Sequence, residues 1–160
     1  KMRVEDALLA TRAAMEEGIV PGGGITLLNA SRAVTETGSE EELIGRRIIK
    51  KALRSPIKQI AENAGVEGAE IIAAVLSFSV VQGPALDVDV LERKQNAYGY
   101  NFLTNQFGDM MELGVIDPVK VVKATIVNAA SVAGMLLTTE VCCNEEREDE
   151  VKRTPLPKSE

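Results

Sequence analysis

Residues 4–28 read VEDALLATRAAMEEGIVPGGGITLL, and this stretch sets the fold class. Val4, Ala7, Leu8, Thr11, Ala14 and Met15 recur at three- and four-residue spacing, so they share one face of a helix. Gly18, after Glu16 and Glu17, stands where that helix should end. Pro21-Gly22-Gly23-Gly24 then makes a flexible connector, and Ile25-Thr26-Leu27-Leu28 opens a second helix that fades near Thr37-Gly38-Ser39. Two helices joined by a glycine turn predict an all-α, multihelical architecture.

The same pattern continues downstream. A third helix is predicted over 40–53, with Ile44, Ile48 and Ala52 on one face and Ile49 and Leu53 beside them. Ser55-Pro56 suits an N-cap followed by the first helical position, and Ile57, Ile60, Ala61 and Ala64 stripe the fourth helix. Gly65 and Gly68 flank a break before a fifth helix over 69–76. Residues 77–95 lose helical period; Val88 and Val90 alternate with Asp87 and Asp89, which predicts loop and short extended pieces. Tyr98-Gly99-Tyr100-Asn101-Phe102 predicts a strand, turning into a second near Phe107, so a small β-hairpin is expected near 98–108. Asp117-Pro118 reads as an N-cap and first helical residue opening the longest helix, lined by Val122, Ile126, Ala129, Ala133 and Leu136. The charged residues 144–160, with two prolines, predict a disordered tail.

Composition narrows the chemistry. Apolar residues make up 45% of the 160, yet aromatics only 3%, so the core is aliphatic. A net charge of −6 argues against a general nucleic-acid binder, which needs a basic face. With no histidine, Ser-His and Cys-His nucleophile pairs and histidine metal sites are excluded. Cys142 and Cys143 are adjacent, which gives neither a disulfide framework nor a CxxC motif and points to a reducing compartment. The opening residues lack an apolar signal core. The longest uncharged run, 124–139, falls short of the ~18 residues a membrane span needs, so no membrane association is expected.

Six ordered blocks resemble the group I chaperonins of bacteria, mitochondria and plastids. They are Arg3 to Ala14 around Val4-Glu5-Asp6-Ala7-Leu8; Glu16 to Gly24; Ile60-Ala61-Glu62-Asn63-Ala64-Gly65; Tyr98-Gly99-Tyr100-Asn101; Gly114 to Pro118; and Asn128 to Gly134, with Thr138-Thr139-Glu140 closing the run. The resemblance implies that 1–17 form the returning helix of an intermediate (hinge) domain. Residues 18–143 would be the second half of the equatorial ATP-binding domain. The family's first half, with its phosphate loop, and the apical domain that meets co-chaperonin and unfolded proteins have no counterpart here. The implied function is the carboxy-terminal part of an ATP-driven folding chaperonin, supplying part of a nucleotide site and the contacts of a homo-oligomeric ring. The implied parent is an ATPase, with this chain inactive by itself. The implied compartment is bacterial cytoplasm, mitochondrial matrix or plastid.

Site residues follow from the matched motifs. Asp6 corresponds to the carboxylate that orients the water attacking the γ-phosphate, a role suited to phosphoryl transfer, which needs positioning more than covalent chemistry. Asp6 shares a helix side with Ala10, Ala13 and Glu17, off the apolar stripe; spacing alone favours an exposed acid stabilised by the helix dipole, and the motif match reverses that preference. Gly22 and Gly23 match glycines that let backbone approach the nucleotide, although a plain connector needs them too. Asn101 and Asp117 match residues contacting the adenosine part of ATP, and capping alone would also explain Asp117. Phe102 and Leu103 stand where the family has two small residues, so bulk is expected beside the base. Magnesium accompanies ATP, with its direct ligand expected in the missing half and no metal residue here. Val141-Cys142-Cys143 is expected as an edge strand. The rival reading is a non-catalytic, truncated or degenerate chaperonin-like interaction module. A stand-alone nucleotide enzyme using the glycine loop is disfavoured, because no βαβ unit frames it.

Overall fold

A computed structural model describes residues 2–78, 88–141 and 143, with backbone alone for 88–92. Seven helices and four short strands follow in order: α1 (Met2–Glu17), β1 (Ile19–Pro21), α2 (Ile25–Ala33), α3 (Glu40–Ala52), α4 (Ser55–Asn63), α5 (Gly68–Ser77), α6 (Val88–Ala97), β2 (Tyr98–Asn101), β3 (Gln106–Asp109), β4 (Ile116–Pro118) and α7 (Val119–Leu137). The predicted helical architecture and its single hairpin are both present. In the hairpin β2 and β3 pair antiparallel, with Tyr98 opposite Asp109 and Asn101 opposite Gln106.

The chain divides into two compact units, Lys1–Ile126 and Val127–Glu160. The first holds the core: Ile25 and Leu28 of α2, Ile57 of α4, Ile71 and Val75 of α5, and Met110 after β3. Tyr100, Phe102 and Val115 pack partly buried against it. All five aromatic residues form one connected group, from Phe78 stacked on Tyr98 through Phe107 and Tyr100 to Phe102. The second unit contains the end of α7, closed by Thr138 and Thr139 hydroxyls that donate to the carbonyls of Gly134 and Met135.

Several local expectations are corrected. Ile19–Pro21 and Ile116–Pro118 form an antiparallel ladder that the sequence reading lacked. Asp117 and Pro118 therefore pair with Val20 and Ile19 as strand residues, and the helix they were expected to open starts at Val119. Ser55 is the first residue of α4 rather than its cap, since Arg54 already has helical dihedrals. α3 does have a capping box, in which Ser39 accepts from the Glu42 N–H and Glu42 accepts from the Ser39 N–H. The Ser-x-x-Glu spacing of 39–42 carried that signal. α6 replaces part of the stretch expected as loop and extended pieces. Its valine–aspartate alternation is too short to outweigh the helix-forming run Leu91-Glu92-Arg93-Lys94-Gln95. Residues 79–87 and the tail 144–160 lie outside the described residues. Val141 and Cys143 show no strand pairing among the described residues, and Cys142 lies outside them.

α1 and α7 bury no residue. At 19 residues α7 exceeds the run expected from the sequence, and by length and composition alone it is long and apolar enough to cross a membrane. That count includes Lys120 and Lys123 in its first turns.

Candidate nucleotide site

β1 ends at Pro21 and delivers the chain into Gly22-Gly23-Gly24, which turns directly into α2. The Gly22 N–H donates to the Val115 carbonyl at 2.8 Å, extending the β1–β4 ladder by one bond. A Cβ on Gly22 would sit 3.1 Å from the Ile116 backbone, a tight contact that glycine avoids where the loop lies close to β4. Gly23 and Gly24 both have positive φ, at 64° and 78°, a region that favours glycine. A Cβ on Gly24 would also meet the Ile57 backbone N at 2.9 Å, because α4 passes over the loop. Thr26 Oγ1 donates to the Pro21 carbonyl at 2.6 Å and closes the turn.

The α2 N-terminus that the loop creates has no side-chain cap. The first N–H groups of a helix lack intrahelical acceptors and carry the positive end of its dipole, which suits an anion. An open cleft of about 390 Å³ flanks Pro21, bounded by Arg93, Lys94 and Asn96 of α6 and by Asp109 and Met111.

Asp117 joins this loop through the ladder: it pairs with Val20, and its strand neighbour Ile116 pairs with Pro21. Its carboxyl is half-buried and pushed above the ordinary value by desolvation. No donor among the described residues bonds to it. A partly dry carboxylate without a donor is well suited to accept bonds from a pair of sugar hydroxyls. The glycine turn, the uncapped helix start and this acceptor together fit a nucleotide.

Asn101 lies at the hairpin turn. Its Oδ1 accepts from the Leu103 N–H at 2.9 Å and from Thr104 at 3.4 Å, so the side chain holds the turn. Phe102 sits edge-on to Tyr100, with ring centroids 5.0 Å apart, and packs toward the core, while Leu103 is 91% exposed. The hairpin is anchored near the loop because Gly99 lies against Ile25, the first residue of α2.

Asp6 makes no described contact with this group. It is exposed on α1, 12 residues before Gly18, which is about 18 Å along the helix axis. Its carboxylate has no hydrogen-bond partner among the described residues. The described residues also contain no cluster of three or more acidic or thiol side chains able to hold a metal ion.

A profile of the TCP-1/cpn60 chaperonin family matches residues 1–147. A crystal structure of a group III chaperonin in the open state is similar at 32% identity, with a TM-score of 0.66 over 82% of this chain. The matched region is 25% of that protein, so this chain spans about a quarter of its length.

Proposed function

The chain belongs to the TCP-1/cpn60 chaperonin family, and from that premise we propose that it is the carboxy-terminal part of a group I, ATP-dependent folding chaperonin. The assignment to group I rests on the six ordered sequence blocks, of which Glu16 to Gly24 and Gly114 to Pro118 are also structural neighbours. In this reading 1–17 are the hinge-domain helix and 18–143 the second half of the equatorial domain. The observation that carries it is the β1–β4 ladder, which sets the Gly22-Gly23-Gly24 turn beside the half-buried Asp117 carboxyl.

Bound ATP would supply the phosphoryl group whose hydrolysis drives the folding cycle. Asp117 accepts from the ribose hydroxyls, and Asn101 with Phe102 and Leu103 bounds the base. Gly22 and Gly23 admit the phosphates, and Asp6 orients water. The magnesium ligand and the client and co-chaperonin surfaces belong to parts of the parent outside this chain. The apolar residues that α1 and α7 expose face those parts in the complete subunit. As a group I member the chain would work in a homo-oligomeric ring with other chaperonin subunits, in bacterial cytoplasm, mitochondrial matrix or plastid.

One observation favours a second reading, a non-catalytic module that docks onto chaperonin subunits. Asp6 is exposed on α1, and no described residue hydrogen-bonds to its carboxylate.

Magnesium-dependent ATP hydrolysis separates these readings. The 160-residue chain should show none. Transplanted in place of the corresponding segment of a chaperonin subunit, it should support turnover that falls roughly 10²-fold or more with Asp6→Ala. Binding to such subunits with no turnover in the chimera would favour the docking module. Turnover by the isolated chain, abolished by Asp6→Ala, would overturn both.

A further inference from the structure

Residues 43–61 hold six of the chain's 18 lysines and arginines and no aspartate or glutamate, in a protein whose net charge is −6. Four of the six, Arg47, Lys50, Lys51 and Arg54, follow at i, i+3, i+4 and i+7. They therefore share one face over the last turns of α3 and its junction with α4. These four side chains line an open cleft of about 360 Å³. Leu53 and Arg54 both keep helical dihedrals across the junction, which carries the row on to Lys58. Lys51, Arg54 and Lys58 border a second open cleft, of about 990 Å³, so the two clefts share Lys51 and Arg54. The row is short of partners. Glu36 answers Lys50 at 2.9 Å and Glu62 answers Lys58 at 3.5 Å. Arg47, Lys51 and Arg54 have no carboxylate within 4 Å among the described residues. Arg54 Nε is shut off from solvent with no acceptor among the described residues, a state that costs free energy until an anion answers it.

Three features choose the anion. Arg47 and Arg54 stand about 10 Å apart along the helix axis, so one phosphate cannot meet the whole row, whereas several linked phosphates can. Guanidinium and ammonium groups hold phosphate oxygens through short, charge-assisted hydrogen bonds. A nucleic acid would bring bases that need a stacking surface, and all five aromatic residues belong to the group around the β2–β3 hairpin, away from this row in sequence. The anion must also be short, because Glu40, Glu41 and Glu42 in the first turn of α3 repel a chain that runs past the cations. We infer that the row is a binding track for a short chain of condensed inorganic phosphate, which lies along α3 from Arg47 to Arg54 and reaches toward Lys58. This inference does not depend on the nucleotide reading, which uses none of these residues.

Isothermal titration calorimetry of the full 160-residue chain with sodium tripolyphosphate, in buffer free of divalent cations, tests it. Binding should be one-to-one and should weaken as salt rises. Orthophosphate, which cannot engage several cations at once, should bind about a hundredfold less tightly. Arg47→Gln/Lys51→Gln, at two exposed positions, should weaken tripolyphosphate binding about tenfold or more. Lys120→Gln/Lys123→Gln removes the same charge from α7 and should change it by less than about twofold. Arg54→Lys keeps the charge but loses the guanidinium fork, and should weaken binding about threefold or more. Far-UV circular dichroism checks that the helices persist in each variant. No binding by the native chain, or orthophosphate bound as tightly as tripolyphosphate, would overturn the inference. So would binding that survives Arg47→Gln/Lys51→Gln, which would place the phosphates at the glycine loop. A single-stranded oligoribonucleotide that binds as tightly as tripolyphosphate at equal charge would overturn it too, and would make the row a nucleic-acid surface.

Discussion

Replacing Gly24 by alanine tests whether the loop is held by its own conformation or by α4. Gly24 has φ 78° and stands at the cap of α2, so alanine meets a left-handed penalty of about 1–2 kcal/mol. The new Cβ would also lie 2.9 Å from the Ile57 N and 3.0 Å from its Cα, which are backbone atoms of a helix whose side chain is fully buried. Backbone in that setting does not yield easily, and overpacking of this kind adds about 1–3 kcal/mol. The expected loss is therefore about 2–5 kcal/mol. Gly65 supplies the control. Its φ is 74°, nearly the same, yet an added Cβ there meets nothing within 4 Å, so Gly65→Ala should lose only the conformational part, about 1–2 kcal/mol. Urea unfolding of both variants, followed by far-UV circular dichroism at constant m-value, measures the difference. Equal losses for the two glycines would refute the claim that α4 pins the loop, and with it the fixed placement of the α2 N-terminus.

Three further outcomes follow from individual contacts. Met110→Ala removes a fully buried side chain that packs among Ile25, Leu28 and Ile57, and should lower stability by about 2–5 kcal/mol in the same urea assay. Ser39→Ala deletes the capping box of α3 and should lower stability by about 1 kcal/mol, with Ser39→Asp restoring most of it. Burial raises the Asp117 carboxyl above 3.8, so the folded chain binds this proton more tightly than the unfolded chain does. Asp117 thus lowers stability as pH rises from about 4 through its elevated value, and Asp117→Asn should flatten that fall; a urea midpoint series from pH 4 to 7 reads it.

The helices were legible because their apolar residues repeat at helical spacing and glycines or capping residues mark their ends. Ile57 and Ala61 of α4, both placed on its stripe from sequence, are both fully buried. The three-residue strands were not legible, since Ile19–Pro21 and Ile116–Pro118 are too short for any period to register. Asp117-Pro118 misled for a definite reason. The pair is chemically suited to open a helix, but the neighbouring Val20 and Ile19 offer ladder partners, and pairing delays the helix to Val119. The start of α6 was hidden by valines and aspartates in alternation. The candidate site was legible as residue types and not as an arrangement. Gly22 and Asp117 are far apart in sequence, and only the unforeseen ladder makes them neighbours. Asn101 was read as a ligand contact, and its commitment to the hairpin turn depends on the positions of the Leu103 and Thr104 amides, which no spacing rule reports.

The ladder also ties α1 to α7, and the strength of that tie can be weighed. Gly18 ends α1 with φ 85°, and its carbonyl accepts from Val119, the first residue of α7, at 3.1 Å. Beyond this joint the two helices are linked by Lys120 with Glu16, and by Lys123 with Glu17 at 2.8 Å. Both pairs are substantially exposed, and solvent-screened pairs of this kind contribute little. α1 buries no residue fully, so only these two pairs and its contacts with β4 oppose a swing about Gly18. A hinge role for α1 requires a stiff helix on a weakly latched pivot beside the glycine loop. Lys120→Ala/Lys123→Ala should therefore leave the urea midpoint almost unchanged. Its main effect should be faster amide hydrogen exchange in α1, leaving α2 and α4 protected as before. Equal acceleration in all three helices would mean that α1 unfolds with the core rather than pivoting on it, and the hinge reading of residues 1–17 would fail.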